Sequence, residues 1–271
     1  LVYDEKEQES GDGAARFDED DDTDGVSAII SEMRGGKSAG REKSALERLR
    51  EHMKKKTLEA VDHSSVDYIS VRKKFYVEHP EISSMTEKEV AELRKKREIA
   101  IRGKKCPRPI SKWHQAGISD RVLDLLLRQD FTEPFAIQQQ AMPAILSGRD
   151  VIGIAKTGSG KTLAFLVPLI RHIRDQPPLE AGDGPIALIM APARELAAQI
   201  YTVARKICRP QGIRVAAVVG GAAVRDQLAA LKRGAEIVVC TPGRMIDILC
   251  MNSGRIISSR RISFVVLDEA D

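Results

Sequence analysis

The 271-residue chain is 42% hydrophobic and 30% charged, enough for one packed domain of about 150 residues plus a remainder that need not pack. Its apolar runs (FLVPLI, VIGIA, FVVL) fall well short of the roughly 18 consecutive apolar residues of a spanning helix, and no apolar-centred leader opens it, so an intracellular protein without a membrane partner is expected. Eleven acids against Lys6 and Arg16 put residues 1–24 at −9; since the whole chain is +4, the rest carries +13, which suits either a polyanionic partner or a solvated charged surface.

Residues 1–40 are acidic and poor in aromatics, too apolar-poor to offset chain entropy, and are expected to be a disordered tail. Residues 41–110 read as a charged helical and extended arm. Leu46, Leu49 and Met53 sit at helical spacing within 42–58, a further helix is expected from Thr86 to Lys96, and Tyr68, Phe75, Tyr76, Val77 and Ile82 are candidate anchors. From residue 111 short apolar runs alternate with amphipathic stretches. Strands are expected at 151–155, 186–191, 215–219, 236–240 and 264–268, and helices at 161–173, 194–208, 223–233 and 242–250. Apolar strands without polar alternation, separated by helices, predict an α/β domain with a parallel sheet covered on both faces. Cys106, Cys208, Cys240 and Cys250 lack the C-x-x-C spacing of a zinc site and read as packing residues. The chain opens on Leu1 and closes directly after an apolar strand, so a fragment cut at both ends is expected.

The first strand-to-helix junction reads Ala155-Lys156-Thr157-Gly158-Ser159-Gly160-Lys161-Thr162. Glycines there let successive N–H groups face one point, the helix start adds partial positive charge, Lys161 can reach phosphates and the Thr162 hydroxyl can ligate Mg2+. Ala155 stands where the strict phosphate-loop pattern has Gly. The run FVVL delivers Asp268 and Glu269 to the same edge of the sheet. Alone such a pair would read as a helix cap; beside a phosphate loop, Asp268 becomes a candidate metal ligand and Glu269 a candidate to polarise water.

AKTGSGKT, PARELA (192–197), Gly220-Gly221, TPGR (241–244) and the terminal DEAD, in this order and spacing, resemble the first RecA-like domain of the DEAD-box RNA helicases over residues 111–271. The resemblance implies a RecA-like phosphate-loop fold truncated at the DEAD motif. It implies ATP and Mg2+ as cofactors, with Lys161, Thr162, Asp268 and Glu269 catalytic and Thr162 and Asp268 holding the metal. FTEPFAIQ (131–138) resembles the family's adenine-reading segment, in which Gln138 would pair with the base edge, Phe131 would stack, and Trp113 is the preceding aromatic. Pro192, Arg194, Gly221, Thr241 and Arg244 would hold RNA through sugar and phosphate, largely independent of sequence. Asp130 replaces the family's Gly, Phe135 its Thr or Ser, and Ala193 its Thr.

FYVEHPE (75–81), CPRP (106–109) and their surroundings look most like the nuclear branch that acts in pre-mRNA splicing at branch-point recognition. The expectation is therefore a nuclear ATP-dependent RNA helicase that opens short duplexes, meeting a spliceosomal ribonucleoprotein through its N-terminal extension and forming no oligomer. The rival is a non-catalytic adaptor that holds ATP, because the family's second domain, with its arginines, is not in this chain.

Overall fold

The computed structural model describes residues 61–180, 182–251 and 256–270. The acidic tail at 1–40 and the helix expected at 42–58 lie outside them. The order of elements is α1 (Pro80–Ser83), α2 (Glu87–Lys96), α3 (Asp120–Leu127), α4 (Ala136–Leu146), α5 (Lys161–Arg174), β1 (Ala187–Met190), α6 (Arg194–Cys208), β2 (Val215–Val218), α7 (Val224–Lys232), β3 (Ile237–Cys240), α8 (Pro242–Cys250) and β4 (Phe264–Leu267).

The four strands form a parallel sheet in the order β2-β3-β1-β4, with Ala187 level with Ile237 and Phe264. Successive side chains of a strand point to opposite faces, and here each face meets its own helices. Ala187, Ile189, Ile237 and Val239 pack with Leu166, Leu169 and Ile170 of α5 and with Ile200 and Ile207 of α6. Leu188, Val238 and Cys240 pack with Leu231 of α7 and with Met245 and Ile248 of α8. This two-sided cover explains why the strands lack polar alternation. Cys208 and Cys240 are buried, and burial pushes both thiols up to about 12.

One expected strand does not join the sheet. Residues 151–155 run without regular pairing, Ile152 and Ile154 are 95% and 93% exposed, and Val265 and Leu267 are exposed on β4 at the sheet edge. An apolar run becomes a strand only when a neighbour supplies its hydrogen bonds, and among the described residues neither 151–155 nor the outer edge of β4 has one.

The arm is strapped to the domain rather than trailing from it. Phe75 and Tyr76 both donate their backbone N–H to the Leu146 carbonyl, at 2.7 and 3.0 Å. The Phe75 ring lies under the guanidinium groups of Arg72 and Arg171, and Arg72 also pairs with Asp175. Thr86 and Glu89 cap α2 reciprocally, and Ile82 is buried. Of the other candidate anchors, Tyr68 and Val77 are exposed and anchor nothing by burial. Farther along, Ile110 N–H donates to the Gln139 carbonyl at 2.9 Å. Three adjacent glutamines of α4 are buried, and each amide nitrogen has a partner: Gln138 at the Gly160 carbonyl, Gln139 at the Pro134 carbonyl and Gln140 at the Pro107 carbonyl; Gln140 Oε1 accepts from Arg94, while Gln139 Oε1 has no hydrogen-bond partner among the described residues.

Candidate functional site

Residues 156–160 turn between the extended segment and the 14-residue helix α5, leaving Lys156, Thr157 and Gly158 exposed. Gly160 caps α5 with φ +86, a left-handed value that disfavours any side chain, and a Cβ there would lie 2.3 Å from the Gln138 amide. Glycine is therefore required by conformation and by space. The buried Ser159 hydroxyl has no hydrogen-bond partner among the described residues. An orphan donor inside a loop of glycines at a helix N-terminus fits an anionic phosphate.

Lys161, in the first turn of α5, donates to Glu269 Oε1 at 2.6 Å, so the loop and the carboxylate pair meet directly. Asp268 is held at the end of β4 by its backbone N–H, which donates to the Met190 carbonyl at 2.9 Å. Burial raises the Asp268 carboxyl above its usual range, the Glu269 charge adds to the rise, and Lys161 opposes it. Glu269 sits at φ +50, an uncommon backbone for a non-glycine residue, and this turn brings its carboxylate to Lys161. The Thr162 hydroxyl and the Asp268 carboxylate are hard oxygen donors of the kind that suits Mg2+.

Beside the loop lies an open cleft whose lining includes Arg97, Asp130, Phe131, Glu133, Phe135 and Ala136. Trp113 lies beneath this cleft rather than on its wall. It is 2% exposed, and its indole N–H donates to the Phe131 carbonyl at 2.8 Å. Gln138 is likewise enclosed, at 1% exposure. Its Oε1 accepts the Phe135 N–H at 2.7 Å and its Nε2 donates to the Gly160 carbonyl at 2.9 Å. Gln138, expected to pair with the base edge, and Trp113, expected as the aromatic preceding the base segment, both brace groups that line the cleft. Residues 96–98 of the arm also line it, with Arg97 3.9 Å from Glu133. Nothing in the local sequence of α2 signals that role, because it arises only from how the arm folds back.

On the sheet edge, Pro192 and Arg194 are exposed at the start of α6, and the Arg194 guanidinium lies against Gly220 and Gly221. A Cβ on Gly221 would come within 2.5 Å of Arg194 Nη1. Thr241 caps α8, and its backbone N–H donates to the Val218 carbonyl at 3.0 Å. Arg244, expected to face RNA, is only 8% exposed, within the first turn of α8. Pro192, Arg194 and Gly221 thus form the accessible part of the set, with Thr241 half-buried beside it.

The DEAD/DEAH box helicase family matches residues 135–271, half of the chain. The chain belongs to this family. It is 56% identical over 218 residues to the Arabidopsis thaliana DEAD-box ATP-dependent RNA helicase 42, covering 80% of this chain and 19% of that protein. It is 56% identical over 218 residues to the human probable ATP-dependent RNA helicase DDX46, covering 80% of this chain and 21% of that protein. The DEAD-box domain described here therefore spans about a fifth of the length of its curated relatives. Among solved structures, the RNA helicase Prp28 from Chaetomium thermophilum bound to ADP aligns with a TM-score of 0.65 at 40% identity, over 72% of this chain and 47% of that one. The yeast DEAD-box splicing factor Prp28 aligns with a TM-score of 0.64 at 32% identity, over 70% and 45%. The fold is thus the RecA-like DEAD domain, and its departures from the family pattern acquire physical meaning. Asp130 adopts φ +59, the left-handed conformation that Gly takes at least cost. Phe135 caps α4 without a hydroxyl to offer, and Ala193 caps α6 in the same way.

Proposed function

We propose that this chain is the first ATP-binding domain, with its N-terminal extension, of a nuclear ATP-dependent RNA helicase that works in pre-mRNA splicing. The contact between Lys161 and Glu269 carries the reading, because it joins the phosphate loop to the carboxylate pair in one site. In this proposal Lys161 leaves Glu269 to hold the ATP phosphates, joined by the loop N–H groups and the Ser159 hydroxyl. Thr162 and Asp268 hold Mg2+, which supplies charge neutralisation at the phosphates when bound. Glu269, released from Lys161, orients the attacking water. Phe131 and Phe135 offer ring faces to adenine, while Gln138 and Trp113 position them. Pro192, Arg194, Gly221 and Thr241 take RNA by its backbone.

Family membership and relatives named as RNA helicases and a splicing factor support this proposal over an adaptor without catalysis. The domain boundaries we adopt are an arm over residues 41–110, which meets a spliceosomal ribonucleoprotein, and the RecA-like domain over 111–271. By itself the chain should bind ATP with Mg2+, hydrolyse it slowly and unwind nothing, because the arginines of a second domain complete the site in this family. The test is titration with a fluorescent ATP analogue. Lys161→Ala should weaken binding at least about tenfold. Unchanged affinity would show that the nucleotide sits elsewhere, and duplex unwinding by the chain alone would overturn the division of labour.

A further inference from the structure

His79, Glu81 and His114 bring one ligand-capable atom each to within 4.8 Å of one another, and none of the three lines the cleft beside the phosphate loop. His79 caps α1, Glu81 lies in its first turn, and His114 belongs to the short turn Trp113–Ala116. Glu81 Oε2 is 3.9 Å from His79 Nδ1 and 3.7 Å from His114 Nε2, and the two imidazole rings meet edge to face at 5.3 Å. We propose that these three side chains form a site for a borderline transition-metal dication, Zn2+ foremost, that pins the N-terminal arm to the domain.

The donor set selects the ion. Two imidazole nitrogens and one carboxylate oxygen suit Zn2+ or Cu2+ and disfavour Mg2+ and Ca2+, which require all-oxygen surroundings. Tetrahedral bonds of about 2.0–2.1 Å place neighbouring ligand atoms about 3.3 Å apart, so closure calls for roughly half an ångström at the two carboxylate contacts and up to about 1.5 Å between the two imidazole nitrogens. Glu81 and His114 are exposed enough to make them, and the exposure leaves a fourth position for water.

What distinguishes this cluster from a chance meeting of surface residues is the support behind it. Gln115, 5% exposed, accepts the Ser111 and Lys112 backbone N–H groups on Oε1 at 2.7 and 3.0 Å. That bond pattern fixes the amide orientation, so Nε2 must face Glu81, to which it donates at 2.6 Å. Buried hydrogen bonds of this kind orient carboxylate ligands in metal sites. His79 Nδ1 accepts the Glu81 N–H at 3.3 Å, which requires a lone pair on Nδ1 and puts the proton on Nε2. A metal at Nδ1 would take over that one lone pair and replace the long cap bond.

The single tryptophan of the chain, Trp113, adjoins His114 and provides the probe. Titrating the full 271-residue chain with Cu2+, in millimolar Mg2+, should quench its fluorescence saturably at one ion per chain, with Zn2+ competing. Zn2+ in hundredfold excess over its Kd should also raise Tm by about 5 °C or more. Glu81→Gln and His114→Ala should each weaken binding at least about tenfold. His79→Asn keeps a residue able to cap α1, so it should lose the metal while its metal-free Tm stays within about 1 °C of wild type. Absence of saturable quenching in the wild-type chain would overturn the proposal. So would equal affinity in a His79→Asn/His114→Ala double variant, since the acids of residues 1–24 would then be holding the ion.

Discussion

Ala193→Thr should make the domain more stable and its grip on RNA tighter, and the two gains separate two roles for one hydroxyl. Ala193 occupies the N-cap of the 15-residue α6 at φ −110, ψ 147, and its methyl group accepts nothing from the first-turn N–H groups. That backbone is already the extended conformation in which a Thr oxygen accepts from the Glu195 or Leu196 N–H, and the position is exposed, so nothing must be repacked. A new cap is worth about 1 kcal/mol, or about 2–4 °C in Tm for a domain of this size. Urea unfolding should show a higher midpoint at unchanged slope. The hydroxyl can accept from the helix while donating its proton to an RNA phosphate, a second gain of about 1 kcal/mol, or roughly fivefold in Kd for single-stranded RNA. A stability change below about 0.3 kcal/mol would refute the capping argument; unchanged RNA affinity would refute the placement of RNA at this helix start.

Trp113→Phe removes the donor to the Phe131 carbonyl and opens space in the core, which should cost about 2–4 kcal/mol in unfolding free energy. Binding of ATP should weaken more than binding of inorganic triphosphate, and equal losses would mean that Trp113 does not position the base segment. Burial pushes the Glu236 carboxyl up, but Arg214 outweighs it with side-chain and backbone hydrogen bonds and holds it below its usual range. Because the folded value is depressed, the stabilisation is in force above the unfolded value of about 4.3 and is lost as pH falls through the folded value. Unfolding free energy should therefore drop on acidification below about pH 4.3, less steeply in Glu236→Gln; superimposable pH profiles would refute this.

The phosphate loop was legible because its code is local: two glycines, a lysine and a hydroxyl residue act through backbone geometry within eight residues. Helices α5, α6, α7 and α8 were legible from periodicity, and four strands from unbroken apolar runs. The failures share one cause, dependence on partners remote in sequence. Residues 151–155 have the composition of a strand but no neighbour to complete their hydrogen bonds among the described residues. Helix α4 escaped periodicity because its three consecutive glutamines and Pro143 are all buried, so the usual contrast between apolar and polar faces is missing. Trp113, Gln138 and Arg244 carry the right chemistry for ligands, yet direction is a property of packing, and the fold turns all three inward.

Those glutamines have a mechanical consequence. Neighbouring positions on a helix diverge by about 100°, so three in a row are spokes pointing to three separate sectors. Gln138 ends on the phosphate loop, Gln139 on the base segment and Gln140 on the arm. One turn of α4 thus ties three segments that are far apart in sequence, with the arm at Pro107 and the phosphate loop at Gly160 fastened to it two residues apart.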